Sequence, residues 1–206
     1  MNTWFTSDLH FYHKRIIDYC PKTRGRFKFV GGSYDLYRMN EALVEMWNSF
    51  VKSEDTVYFL GDWSLHPKNR NEFLTRLNGN IVWIKGNHDH KSKTAFDLIG
   101  ERLTYYCDCC TRIFNDKEYF FVHSPFDIQK YNDFLKQNKK IRIVCGHIHE
   151  KWKLKAKGSF IESYIASDHA ENGFVTQYPI VNVGCDAWNF KMVSLEELEM
   201  TFKRIE

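Results

Sequence analysis

The sequence predicts one mixed α/β domain built on a mixed sheet or two stacked sheets, and three observations predict it. Short apolar runs alternate with helix-period segments early in the chain, the order that produces parallel βαβ units. Later runs lie close enough together to pair locally. No Gly/Ser/Pro-rich linker, internal repeat or compositional break divides the 206 residues, which are 43% hydrophobic and 17% aromatic and can bury a large core without a disulfide. The expected organisation is a single domain over residues 1–206, with a hairpin or loop insertion at 151–178.

In chain order, Thr3-Trp4-Phe5-Thr6 is a first strand, followed at once by Ser7-Asp8-Leu9-His10. The stretch from His13 to Phe29 carries Lys14, Arg15, Lys22, Arg24, Arg26 and Lys28; a solvated basic face is the favoured reading, and help in holding an anion is the alternative. From Asp35 onward Met39, Leu43, Met46, Trp47 and Phe50 recur at three and four, one face of a core helix. Thr56 to Leu60 is a strand ending in Gly61-Asp62. Asn71 to Leu77 reads as a helix with Phe73, Leu74 and Leu77 inward, stopped at Asn78-Gly79. Ile81-Val82-Trp83-Ile84 leads into Gly86-Asn87-His88-Asp89.

A helix is expected from about Ser92 to Ile99, then an aromatic, Cys-rich strand pair around Tyr105 to Phe121 turning at Asn115-Asp116-Lys117. Tyr119 to Val122 ends at His123-Ser124-Pro125, a polar helix runs from Asp127 to Lys136, and Ile141 to Cys145 ends at Gly146-His147-Ile148-His149. Lys151, Trp152, Lys153, Lys155 and Lys157 form an amphipathic strand pattern, with nucleic-acid contact as the weaker reading. The run Ser159 to Ala166 and the polar loop from Asp168 to Gly173 read as a hairpin and loop near the mouth of a site. Ile180 to Gly184 is the last core strand, and Ser194-Leu195-Glu196-Glu197 is a capping box opening a C-terminal helix.

A net charge of +3 and a pI near 8.4 neither demand nor exclude a phosphate-bearing partner. The N-terminal run lacks the pattern of a secretory signal, and no apolar run approaches the roughly 20 residues of a membrane span. The expectation is a soluble cytoplasmic protein with no membrane partner; the sequence leaves its oligomeric state open. Cys20, Cys107, Cys109, Cys110, Cys145 and Cys185 are irregularly spaced, and the lone Cys107-x-x-Cys110 lacks the second pair of a zinc ribbon. Free thiols in a reducing compartment are expected.

The chemistry lies where the strands end. Five apolar strands are followed directly by Asp8 and His10, Asp62, Asn87 and His88, His123, and His147 and His149. In open α/β sheets such ends gather functional groups over one crevice. Each residue alone has an ordinary reading: His123 as a core histidine, Asp62 as a cap, Asn87 as a turn residue. Turns and caps do not, however, place Asp-x-His and His-x-His both at strand ends. Imidazole, carboxylate and amide oxygen together suit manganese, iron or zinc and poorly suit calcium. With His88 set aside, Asp8, His10, Asp62, Asn87, His123, His147 and His149 are too many for one ion, and one shared carboxylate completes two four-ligand sets. Two ions about 3.5 to 4 Å apart can acidify a bridging water and clamp an in-line displacement at phosphorus. The composition of the set therefore points to phosphoester hydrolysis.

The ordered series Asp8-x-His10, Gly61-Asp62, Gly86-Asn87-His88-Asp89, His123 and Gly146-His147-x-His149 resembles the calcineurin-like metallophosphoesterase superfamily. Asp8-Leu9-His10-Phe11-x-His13 and Asn182-x-Gly184-Cys185-Asp186-x-Trp188 are similar to its small bacterial and phage members. The resemblance implies a four-layer αββα sandwich of two mixed sheets flanked by helices. It also implies a pair of divalent transition-metal ions, with Asp8, His10 and His149 on one, Asn87, His123 and His147 on the other, and Asp62 between them. It makes His88 the general acid toward the leaving alkoxide while a metal-bridging hydroxide attacks. Asn87, His13 and Arg15 are candidates for contact with the substrate phosphate. The protein Ser/Thr phosphatase branch carries a second Asp that orients its catalytic His, but Gly61-Asp62-Trp63-Ser64-Leu65-His66 lacks it. What orients His88 is therefore open, with Asp89 the candidate, and the departure counts against a protein-phosphatase role. His66, His90, Asp168 and His169 read as ordinary polar positions.

The expected substrates are phosphomonoesters or phosphodiesters, either small molecules or nucleotides and nucleic acids. A nuclease or cyclic-nucleotide phosphodiesterase is the enzymatic alternative. A non-catalytic metal-binding scaffold of the same fold, like the retromer subunit that lacks the catalytic His, is the alternative of another class. Intact His88 and ligand positions weigh against the scaffold.

Overall fold

A computed structural model describes residues 1–64, 70–89, 100–138, 140–162 and 173–206. Strands β1 (Thr3–Thr6), β2 (Thr56–Phe59), β3 (Asn80–Ile84) and β4 (Leu103–Cys107) run parallel in one sheet, and β12 (Val193–Ser194) closes its other edge antiparallel to β1. In the second sheet β5 (Cys109–Phe114) and β6 (Lys117–Val122) form a hairpin, and β7 (Arg142–Cys145) and β11 (Ile180–Asn182) continue parallel to β6. The short β8 (Leu154–Lys155) caps that sheet, while β9 (Phe160–Ile161) and β10 (Phe174–Val175) pair with each other.

Side-chain alternation along the strands sorts residues into layers. Val57, Phe59, Ile81 and Trp83 face a helix-side core, while Tyr58, Leu60, Val82 and Ile84 from the same strands face the second sheet. In β6, Tyr119 and Phe121 enter the core between the sheets, and Phe120 and Val122 enter an outer core with Ile128 and Leu135. Strands buried on both faces read as continuous apolar runs, which is how the sequence displays them. The resulting order, helices, sheet, sheet, helices, is the αββα sandwich the resemblance implies.

Helix α3 (Leu36–Phe50), which follows the four-residue α1 (Ile16–Tyr19) and α2 (Pro21–Arg24), begins where the Asp35 carboxylate accepts from the Arg38 N–H at 2.9 Å. It buries Met39, Leu43, Met46 and Trp47 against the first sheet, with Phe50 packed at the margin. Leu43 is fully buried, so Leu43→Ala is expected to cost about 2–5 kcal/mol in urea unfolding. A loss under about 1 kcal/mol would place the residue outside a tightly packed core. At the other end of the chain, Ser194 and Glu197 form the expected capping box of α6 (Leu195–Phe202).

The structure corrects several local expectations. The Tyr105–Phe121 segment is not one strand pair: β4 belongs to the first sheet, the chain crosses at Asp108, and the hairpin is β5 with β6, turning at Asn115 and Asp116. The helix expected over Asn71 to Leu77 is the five-residue α4 (Arg70–Leu74). Pro125 opens a 3-10 turn through Tyr131, and only α5 (Asn132–Leu135) is α-helical in the segment read as helix from Asp127 to Lys136. In the basic run Lys14, Arg15, Lys22, Arg26 and Lys28 are exposed, but Arg24 is fully buried. The 92–99 helix, residues 163–172 of the expected hairpin and loop, and His66, His90, Asp168 and His169 lie outside the described residues. Among the described residues no helix is long and apolar enough to cross a membrane.

Candidate metal centre

The ends of β1, β2, β3, β6 and β7 meet at one edge of the sandwich, where a Ser7–Gly184 bridge joins the two sheets. The chain passes through this edge in unusual conformations. Asp8, His10, Asp62, His147 and His149 all have φ between 50° and 72°, a left-handed region that non-glycine residues seldom adopt. Five such residues at one place are strain that only the surrounding structure can hold, a pattern typical of functional sites. Close approach is the other local demand. A Cβ on Gly86 would collide with the Asp62 carboxylate, and one on Gly146 with the side chains of Ser7 and Asp8.

Hydrogen bonds then aim the side chains. Asp8 uses Oδ2 to accept from the Ser7 hydroxyl and from the His147 N–H at 2.9 Å, leaving Oδ1 buried with no hydrogen-bond partner. Asp62 accepts the His88 N–H on Oδ1 at 2.9 Å, while its Oδ2 lies 3.5 Å from His10 Nε2, 3.4 Å from His123 Nε2 and 3.9 Å from His88 Nε2. His123 donates Nδ1–H to the Leu60 carbonyl at 2.6 Å, which leaves Nε2 as the ring nitrogen facing the site. That Nε2 is 3.0 Å from Asn87 Oδ1 and 3.3 Å from His147 Nδ1, and Asn87 Oδ1 is 2.9 Å from His147 Nδ1. His149 donates Nδ1–H to Asp186 Oδ2 at 2.9 Å, so its Nε2 is likewise free to ligate.

Two groups of donor atoms result, Asp8 with His10 and His149, and Asp62 with His123 and His147, each within 4.8 Å of one another. Asn87 joins the second through its amide oxygen, and Asp62 reaches toward the first through His10. The fit to cations is visible in the uncompensated atoms. Asp8 Oδ1 and His10 Nε2 are buried without hydrogen-bond partners, an arrangement that a bound cation would satisfy and that is otherwise costly.

Electrostatics point the same way. Burial opposes charge on Asp62, yet His123, His10 and His88 around it hold its carboxyl far below the usual range. Burial likewise works against a charged His123, but the adjacent Asp62 carboxylate raises it to about 10. Burial, with His123 beside it, lowers His147 to about 4, and burial with His149 lowers His10. In the cation-free site His123 therefore carries a proton at neutral pH. A cation taking Nε2 must displace that proton, so affinity rises with pH up to about 10 and binding near neutrality releases at least one proton. Calorimetry of Mn²⁺ uptake in two buffers of different ionisation enthalpy measures the release; uptake with none contradicts this assignment.

The remaining sequence candidates fall around this core. The His88 side chain is 38% exposed, its ring 5.4 Å from that of His10. His13 sets its ring 5.2 Å from that of His10 at a tilt of 52°, and Arg15 is exposed with its guanidinium over the Tyr19 ring. Asp89 is not the partner of His88. Its carboxylate accepts from the N–H groups of Asp62, Trp63 and Gly86 and from Trp83 Nε1, all at 2.9–3.0 Å, bracing the β2 and β3 ends together. A cavity of about 430 Å³ adjoins Asn87, His123 and His147, bordered by Lys85 and Lys130, each paired with an Asp. Larger hollows of about 560 and 640 Å³ lie away from this edge and hold none of these groups.

The sequence reading missed the part played by Asp186 and Arg24. Ile180 to Asp186 has the same grammar as the other strands, an apolar run followed by Gly and Asp, and that signal marks Asp186. Asn182, from the same stretch, donates to the carbonyls of His149 and Trp152 at 2.8 Å and so anchors the β7 loop. Within the basic 151–157 run, Lys153 Nζ lies 3.2 Å over the Trp188 ring.

Comparison with known proteins yields a consistent set. The sequence profile described as calcineurin-like phosphoesterase matches residues 1–171. An uncharacterized protein of Methanocaldococcus jannaschii, MJ1445, is 27% identical over 203 residues, covering 94% of this chain and 86% of that protein. The gene 66 protein of Mycobacterium phage L5 is 25% identical over 221 residues, covering 96% and 92%. Among solved structures, the protein of unknown function AQ665 from Aquifex aeolicus superposes with a TM-score of 0.68 at 20% identity, covering 97% and 98% of the two chains, a likeness of fold.

Proposed function

This chain belongs to the calcineurin-like phosphoesterase family, and on that premise we propose that it cleaves phosphomonoesters or phosphodiesters using two divalent transition-metal ions, manganese, iron or zinc. The observation that carries the reading is the position of Asp62, whose Oδ2 lies 3.5 Å from His10 Nε2 on one side and 3.4 Å from His123 Nε2 on the other. In this reading Asp8, His10 and His149 hold one ion, Asn87, His123 and His147 the other, and Asp62 both. When bound, such ions supply an acidified water and neutralise charge on the phosphoryl oxygens.

The chain's own groups do the rest. Fixed strand ends hold the ligands, so little reorganisation accompanies the reaction. His88, anchored through its backbone N–H but open to solvent at its ring, delivers a proton to the departing ester oxygen. Asn87 presents its amide oxygen to the ligand cluster, which leaves the amide nitrogen to donate to a phosphate oxygen. His13, whose ring lies 5.2 Å from that of His10, and Arg15, two residues further along the chain, are the further candidates for phosphate contact.

Hydrolysis of p-nitrophenyl phosphate and bis(p-nitrophenyl) phosphate with Mn²⁺ tests the reading and separates monoesterase from diesterase. Mn²⁺-dependent release of p-nitrophenol from at least one is expected. Protein that retains metal but turns over neither contradicts it and favours the scaffold.

A further inference from the structure

We propose that Arg24 and Asp186 form a buried positioning pair that aims His149 Nε2 at the Asp8/His10 cation site; this inference rests on the dimetal reading above. Both side chains are fully excluded from solvent. Arg24 donates Nε–H to Asp186 Oδ1 at 2.8 Å and Nη2–H to Asp186 Oδ2 at 3.1 Å. The same guanidinium donates to the Asp8 carbonyl at 2.7 Å and the Leu9 carbonyl at 3.0 Å. Asp186 Oδ2 in turn accepts His149 Nδ1–H at 2.9 Å, and Thr23 donates its hydroxyl to Asp186 Oδ1 at 2.9 Å. One guanidinium thus ties together the loops that follow β1, β7 and β11.

Physical chemistry restricts what this pair can be doing. A lone buried guanidinium near a cation site would oppose cation binding; paired with Asp186 it is nearly neutral, and its remaining work is geometric. His149 stands at φ 50°, outside any helix or strand, so regular structure does not fix its ring. A carboxylate on Nδ1–H selects the tautomer with its lone pair on Nε2 and stops the ring from turning. Only a planar fork can bond both Asp186 oxygens and two carbonyls at once, so lysine would not substitute. Cys20, His149 and Asp186 also lie close enough together to hold an ion, but Arg24 occupies both oxygens of Asp186, which argues for a brace there and against a third site.

The test compares Mn²⁺ titrations of the metal-free parent, R24M/D186N and R24M/D186L, counting free Mn²⁺ by EPR and checking each fold by thermal unfolding. Removing both charges together avoids stranding one of them in the interior. The parent is expected to bind two equivalents. R24M/D186L should unfold cooperatively and hold one equivalent about 10- to 100-fold more weakly, with the other unchanged. R24M/D186N should fall between, because the asparagine oxygen still accepts from His149. Parent-like binding of both equivalents in R24M/D186L overturns the proposal, as does equal weakening of both. Loss of cooperative unfolding also overturns it, since the pair would then be holding the chain together, not aiming one imidazole. A parent that binds no Mn²⁺ removes the dimetal reading and this inference with it.

Discussion

Asp62→Asn is expected to release both cations and lower kcat/KM at least about a thousandfold, because a carboxylate facing both ligand groups supplies several kcal/mol of charge stabilisation. The amide keeps the size of the side chain and one oxygen acceptor for the His88 N–H, so the fold should persist. What disappears is the negative charge between His10 and His123. An independent readout follows from the electrostatics. With Asp62 uncharged, nothing comparable offsets the burial of His123, so its pKa in the cation-free protein should fall from about 10 toward and below the ordinary histidine value. NMR titration of the imidazole resonances measures that fall directly. An Asp62→Asn variant that keeps two tightly held ions, or a His123 that still titrates near 10, contradicts the central position assigned to this carboxylate.

His88→Ala carries the second largest effect and separates holding from reacting. The imidazole of His88 is open to solvent and has no place among the ligands in either group, so both ions should stay. Turnover should fall by about 10²- to 10⁴-fold, the usual worth of a positioned general acid. The loss should depend on the leaving group: small for p-nitrophenolate, which departs well unprotonated, and large for an alkyl ester, whose alkoxide needs the proton. Equal losses on both substrates, or none, would show that His88 does not supply the proton.

Much of this centre was legible because its grammar is local. An apolar run stops, glycine lets the chain turn, and Asp, His or Asn follows; the resulting list, Asp8, His10, Asp62, Asn87, His88, His123, His147 and His149, contains the residues that the strand ends bring together. The sandwich was legible for a related reason, since strands buried on both faces show as unbroken apolar runs. What stayed hidden depends on partners distant in sequence. Arg24 looks like its neighbours in a basic stretch, and in a four-residue helix no periodicity singles it out; only Asp186, 162 residues away, explains its burial. Asp89 sits beside His88 in sequence yet turns back to brace the backbone of Asp62 and Gly86. The passage at Asp108 from one sheet to the other leaves no mark in composition, so β4 and β5 read as partners when they belong to different sheets.

The central claim is that strand ends scattered between positions 8 and 149 converge to grip two cations. Anomalous diffraction at the manganese edge, from crystals of protein resupplied with Mn²⁺, tests it most directly. Two peaks are expected, one bounded by Asp8, His10 and His149 and the other by Asn87, His123 and His147, with Asp62 between them. A map with no peak at this edge of the sandwich, or with Asp62 in contact with neither ion, would contradict the account.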